Sequence, residues 1–167
     1  MKSLRRLREL SDPEAFRLLV WSLLTVLLTT VLLRTKSLPA LLNRLTQPSH
    51  TRIGREAQLQ PDTRRIQKIW RYTHVILQTL LRSRRPCLLR SLVVYRYGCK
   101  HGMPVSIHFG VKSGMDRLEG HSWVTLHGSP LCESEEGLRS YVAVYSYPDG
   151  PSETGMNQAL AAVGGWL

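Results

Sequence analysis

Three residue types at suggestive positions could do chemistry in this chain. Cys87 directly follows Pro86 at the predicted start of a helix. At such a position, free backbone N–H groups and the positive end of the helix dipole stabilise a thiolate and lower its pKa. A cysteine near a helix start is by itself more often a small buried residue, so the reading depends on a base. A thiol nucleophile needs an imidazole to take its proton, and the imidazole needs an acceptor to hold its orientation. His121 heads the predicted strand His121-Ser122-Trp123-Val124. Beyond a turn expected at His127-Gly128, the returning chain brings Glu133 about opposite His121, because His127 lies midway between them. Glu135 shares the facing parity, and sequence does not fix strand register to the residue. Glu133 is preferred and Glu135 stays open.

The elements that must position these groups follow from punctuation and period. Asp12-Pro13-Glu14 starts a helix expected to run from Pro13 to Thr35, with a capping acceptor, a first-turn proline and an acid near the positive dipole end. Ser37-Leu38-Pro39 interrupts it, and a short helix is expected over Ala40 to Leu45. From Thr63 to Leu81 an apolar stripe of Ile66, Ile69, Trp70, Val75 (or Thr73), Leu77 and Leu80 runs between basic residues at helical spacing. Arg82 to Arg85 reads as a solvated loop. The helix opened by Pro86 shows one apolar face, Leu88, Leu89, Leu92 and Val93, and is ended by Gly98 and Gly102. The period then changes. Val105, Ile107, Phe109 and Val111 alternate with polar or small residues, and His121–Leu126, Leu131–Glu133 and Tyr141–Tyr147 supply further strands. Helices first and strands later predict an α+β fold with the Cys87 helix packed on an antiparallel sheet.

The expected organisation is a hydrophobic helical appendage over 1–45, a connector over 46–62 marked by Pro48, Gly54 and Pro61, a core over 63–150, and a tail over 151–167. Charge divides the chain unequally. Residues 1–99 hold 19 Lys/Arg against 5 Asp/Glu, a balance of +14, and residues 100–167 hold 4 against 7, a balance of −3. A basic half points to an acidic peptide, anionic lipid or nucleic acid. No zinc-finger spacing, RNP-like strand or helix-turn-helix pattern supports nucleic acid. Three cysteines, an odd number, argue against a disulfide framework and for a reducing, cytoplasmic setting.

The uncharged stretch between Arg17 and Arg34 is 16 residues long, short of the roughly 20 that span a bilayer. No small-residue cleavage site follows it, so residues 13–35 read as a buried or interfacial helix ahead of a membrane anchor or a signal. Peripheral membrane contact through 13–35 is allowed by this reading. No close His/Cys pair has zinc-ligand spacing, and neither metal nor cofactor is expected. Arg90 reads as structural support and Trp123 as core.

A helix-borne cysteine, a strand-borne histidine and a next-strand acid, in that order, form the layout of transglutaminase-like and papain-like enzymes. The run Pro86-Cys87-Leu88-Leu89-Arg90-Ser91-Leu92, the strand ending Phe109-Gly110-Val111 and the segment His121-Ser122-Trp123-Val124 together resemble the leader peptidases of lasso-peptide biosynthesis. These share a Cys-Leu-x-Arg-Ser-Leu helix start, a strand closing in Gly-Val and a His-Ala-Trp-Val strand. The resemblance covers roughly residues 63–135. It implies a cysteine peptidase that cuts the leader from a ribosomally made precursor, with Cys87 as nucleophile, His121 as base and Glu133 as third member. It also implies two partners, a small leader-recognition protein and an ATP-using cyclase that closes the macrolactam. Glu133 departs from the family, where Asp is usual. Ser122 for Ala, and His127 for an acidic residue, are expected to leave the chemistry untouched.

Two other functions fit the same residues. An amine in place of water at the acyl-enzyme makes the protein an acyltransferase. A non-catalytic membrane-associated interaction protein would have an unreactive Cys87 and would lose membrane association on deletion of residues 1–45.

Overall fold

The computed structural model describes residues 12–46, 63–81, 86–114 and 118–151. Most of the expected connector, the basic run at Arg82 to Arg85 and the tail beyond 151 lie outside these residues. Helix α1 spans Pro13–Thr35, as its punctuation predicts; Asp12 caps it by accepting a hydrogen bond from the Glu14 N–H at 3.0 Å. Helix α2 spans Leu38–Thr46 and so begins earlier than expected. Pro39 is in its first turn, where a missing N–H breaks no helical bond.

Helix α3 spans Thr63–Thr79. Thr73 faces inward and Val75 outward, with Ile76 joining Ile66, Ile69 and Leu77 in the core, while Leu80 is exposed. Helix α4 spans Pro86–Lys100 and is buried on almost every side, through Leu89, Leu92, Val93, Val94, Tyr95 and Tyr97. The single apolar face expected for it is corrected by its central place: α1, α2 and α3 pack against it, as does the sheet. Gly98 lies inside this helix rather than ending it. A Cβ there would come within 2.7 Å of the Val105 side chain, so glycine lets the helix end approach the first strand. Gly102, at φ 65°, makes the stop. The Met103 N–H donates to the Gly98 carbonyl at 3.0 Å and the Gly102 N–H to the Cys99 carbonyl at 3.1 Å, closing the last turn in a left-handed cap.

The sheet is five-stranded and antiparallel. Its strands are β1 (Val105–Ser113), β2 (Leu118–Leu126), β3 (Ser129–Leu131), β4 (Val142–Tyr147) and β5 (Gly150–Pro151), in the order β3-β2-β1-β4-β5. A short helix α5, Glu135–Leu138, links β3 to β4. His127 and Gly128 both take positive φ, 50° and 82°, and Leu126 pairs with Ser129, as a two-residue hairpin turn requires.

One hydrophobic cluster joins Val26, Leu41, Leu42 and Leu45 to Ile66, Ile69, Leu77, Leu92, Val93 and Ile107. The segment expected as an appendage therefore shares the core of the residues that follow it. A helix apolar on all sides has one side left bare by the sheet, and α1 to α3 cover it. Among the described residues, α1 is the one helix long and apolar enough to cross a membrane by length and composition.

Candidate active site

Cys87 stands in the first turn of α4, where the first four N–H groups have no intrahelical acceptor. His121 lies on β2 and pairs with Gly110 of β1. Strand β3 covers β2 only over Val124 to Leu126, so the edge beside His121 is left open for the end of α4. Cys87 and His121 lie close enough for each to shift the other's titration. His121 Nε2 is 2.7 Å from Glu133 Oε2, which leaves Nδ1 for the thiol.

The electrostatics follow from these contacts. The Cys87 thiol is lowered from 9.0, first by the His121 ring and against the opposing effect of burial; the Leu88 N–H lowers it further. His121 is raised from 6.5 to about 9 by its bonds to Cys87 and then Glu133. Each shift favours the charged form of its group, the thiolate at Cys87 and the imidazolium at His121. Cys132 is pushed the other way, up to about 11, chiefly by burial. Burial likewise raises Cys99. Of the three free cysteines, Cys87 is the one whose surroundings favour a nucleophile.

The structure brings Glu133, not Glu135, to His121, though by a different route from the simple register. The ladder Val124↔Leu131, Thr125↔Pro130 and Leu126↔Ser129 would, if continued, set Ser134 opposite His121. Pairing stops at Leu131, Cys132 turns through φ 65°, and this kink returns Glu133 to the ring. Ser134 then caps α5, its hydroxyl accepting from the Gly137 N–H at 3.2 Å, and Glu135 is spent in the exposed first turn of that helix.

Arg90, one turn after Cys87, reaches the carboxylate beside His121. Its Nη2 lies 3.6 Å from Glu133 Oε1, and its Nη1 bonds His74 Nδ1 at 3.1 Å. Its guanidinium sits 4.6 Å from the centre of the Trp70 ring, which in turn stacks on His74. One carboxylate oxygen of Glu133 thus faces the base and the other faces a clamped cation. Sequence reading tied neither Trp70 nor His74 to the site. The spacing His74, Arg90, Glu133 carries no local signal, because the three groups come from two helices and a loop.

Other neighbours fix the imidazole. Trp123 is buried, as expected for a core residue, and stacks on both His121 and His108 at centroid separations of 6.2 and 5.5 Å. Tyr141 packs 5.0 Å from the His121 ring. Gly110 makes this possible: a Cβ there would meet the Trp123 ring and the Val142 carbonyl oxygen at 2.8 Å. Ser91 holds the strand to the helix by donating its hydroxyl to the Ser122 carbonyl at 2.6 Å. The Ser122 hydroxyl is buried and has no hydrogen-bond partner among the described residues.

A thiol at the start of a helix, beside an imidazole held by a carboxylate, can attack an acyl carbon and have its leaving group protonated. Comparison with protein families matches residues 27–146 of the chain to the family described as the Transglutaminase-like superfamily. No curated protein and no solved structure matches it.

Proposed function

Since the chain belongs to the transglutaminase-like superfamily, whose members are typically cysteine-dependent enzymes, we propose that it is a cysteine peptidase working through a thioester acyl-enzyme. Cys87 is the nucleophile, His121 the acid and base, and Glu133 the group that orients His121. Its substrate is a ribosomally made lasso-peptide precursor, from which it removes the leader. A leader-recognition protein presents that precursor, and an ATP-using cyclase takes the released core. The reading is carried by the placing of Cys87 beside His121 and of His121 Nε2 2.7 Å from Glu133 Oε2. The motifs around Cys87 and His121 support the choice of substrate.

Catalysis begins when Cys87 Sγ attacks the scissile carbonyl and its oxygen takes the negative charge. The Cys87 N–H, free at the start of α4, is a donor for that oxyanion. The tetrahedral intermediate collapses, the C–N bond breaks, and the His121 imidazolium gives its proton to the leaving amine. Water then attacks the thioester and loses a proton to His121. The C–S bond breaks, and the acid leaves with Cys87 again a thiolate and His121 again charged.

The test is mass spectrometry of a precursor peptide incubated with its recognition partner and either the native chain or Cys87→Ala. Leader release by the native chain alone is expected. Transfer of the acyl group to an added amine, with no hydrolysis, would make the protein an acyltransferase. Intact peptide in both reactions would remove the peptidase reading.

A further inference from the structure

Helix α1 carries apolar bulk on both sides: Leu18, Leu19, Trp21, Leu23, Leu32 and Leu33 pack against the core. Its buried residues are Ala15, Ser22, Thr25, Val26 and Thr29, against α3 and α4. A second set of large apolar side chains, Phe16, Val20, Leu24, Leu27, Leu28 and Val31, is exposed, with Phe16 at 57% and Leu24 and Val31 at 60%. Spacings of three and four put these six on one side of the helix. The inward hydroxyls need nothing from the core. Ser22 donates to the Leu18 carbonyl at 2.8 Å and Thr29 to the Thr25 carbonyl at 2.7 Å. Small residues at the centre of the contact let the helix approach closely, and the six exposed side chains form a contiguous apolar stripe that needs a cover.

The flanking charge says what the cover is. Arg17 and Arg34 are exposed at either end of the stripe, and both project to its side of the helix, with exposed Lys36 just beyond. A surface apolar in the middle and cationic at both ends complements a bilayer bearing anionic headgroups. It does not complement a second copy of the same face, which would set arginine against arginine. The helix lies along the membrane rather than through it, because spanning would tear Val26 and Thr29 from the core they occupy at 0% exposure. We infer that the outer face of α1 is an in-plane docking surface for an anionic lipid bilayer. This placement is independent of what Cys87 does.

Co-sedimentation of the full chain with vesicles tests the inference. Vesicles of equal parts phosphatidylglycerol and phosphatidylcholine should carry the protein down, and phosphatidylcholine alone should do so far less. Exchanging Leu24 and Val31 for glutamate should weaken binding about tenfold or more. Arg17→Gln and Arg34→Gln should each weaken it about fivefold, and raised salt should release the protein. All four positions are exposed, so circular dichroism should report an unchanged fold. Equal partition to both vesicles, or binding indifferent to Leu24→Glu with Val31→Glu, would overturn the inference. So would binding that resists salt, which marks a spanning helix. A dimer dissociated by those two substitutions in sedimentation velocity, with no vesicle binding, would assign the face to a second copy.

Discussion

At the scale of single residues, the proposed mechanism depends on where one proton sits between Cys87 and His121. Cys87 must be ionised and His121 protonated for the attack and for release of the amine. The rate of precursor cleavage should therefore rise as pH passes the lowered Cys87 value and fall as it passes about 9, where His121 loses its proton. Glu133→Gln removes the negative charge that helps hold the imidazolium. The alkaline limb should then move down, the acidic limb up, and kcat/KM should fall roughly a hundredfold or more; a pH series on both proteins checks all three. Arg90 acts on the same proton at one remove, as a positioning residue through Glu133 Oε1. Arg90→Ala should lower kcat more than it raises KM and should slow iodoacetamide capture of Cys87 at neutral pH. Arg90→Lys should recover only part of this, since a single ammonium cannot both stack on Trp70 and reach His74 and Glu133. If the Arg90 variants melt lower but keep the native alkylation profile, Arg90 is structural only.

At the scale of elements, the decisive approach is that of β1 to β2 and β4 at Gly110. The Trp123 ring crosses the place where a side chain would stand, and the register shift between Phe109 and Gly110 falls at the same point. Gly110→Ala forces the ring or the Val142 carbonyl aside, at a cost of about 1–3 kcal/mol. Because His121 stacks on that ring, the substitution should lower both the melting temperature and kcat, and calorimetry with a cleavage assay checks the pair. A lower melting temperature with unchanged kcat would show that Trp123 does not hold the base. This element was partly legible in advance. Alternation along Val105 to Val111 announces a strand, and the proline before Cys87 announces the helix that meets it. The reason for glycine at 110 was not legible, since it lies in a tryptophan on another strand and a carbonyl on a third.

At the scale of the whole molecule, α1 and α2 are not separable from the domain that bears the site. Val26, Leu41, Leu42 and Leu45 are buried at 2% exposure or less in the common core, each contributing roughly 1.5–3 kcal/mol. Their loss together is of the same order as the full stability of a domain, about 5–15 kcal/mol. A chain starting at residue 63 should therefore bind a hydrophobic dye and show no cooperative melt; a cooperative transition in calorimetry would make the front segment dispensable. The sequence by itself determined what depends on neighbours along the chain. Caps and prolines marked helix starts and alternation marked the strands, because these signals act over a few residues. Tertiary structure alone decided what depends on distant groups. It chose Glu133 over Glu135 through the turn at Cys132, brought Arg90, Trp70 and His74 to the carboxylate, and turned the hydroxyls of α1 inward. Such choices are made by packing between elements, where a kink at one residue or a helix rotated about its axis changes which side chains meet while the local pattern stays the same.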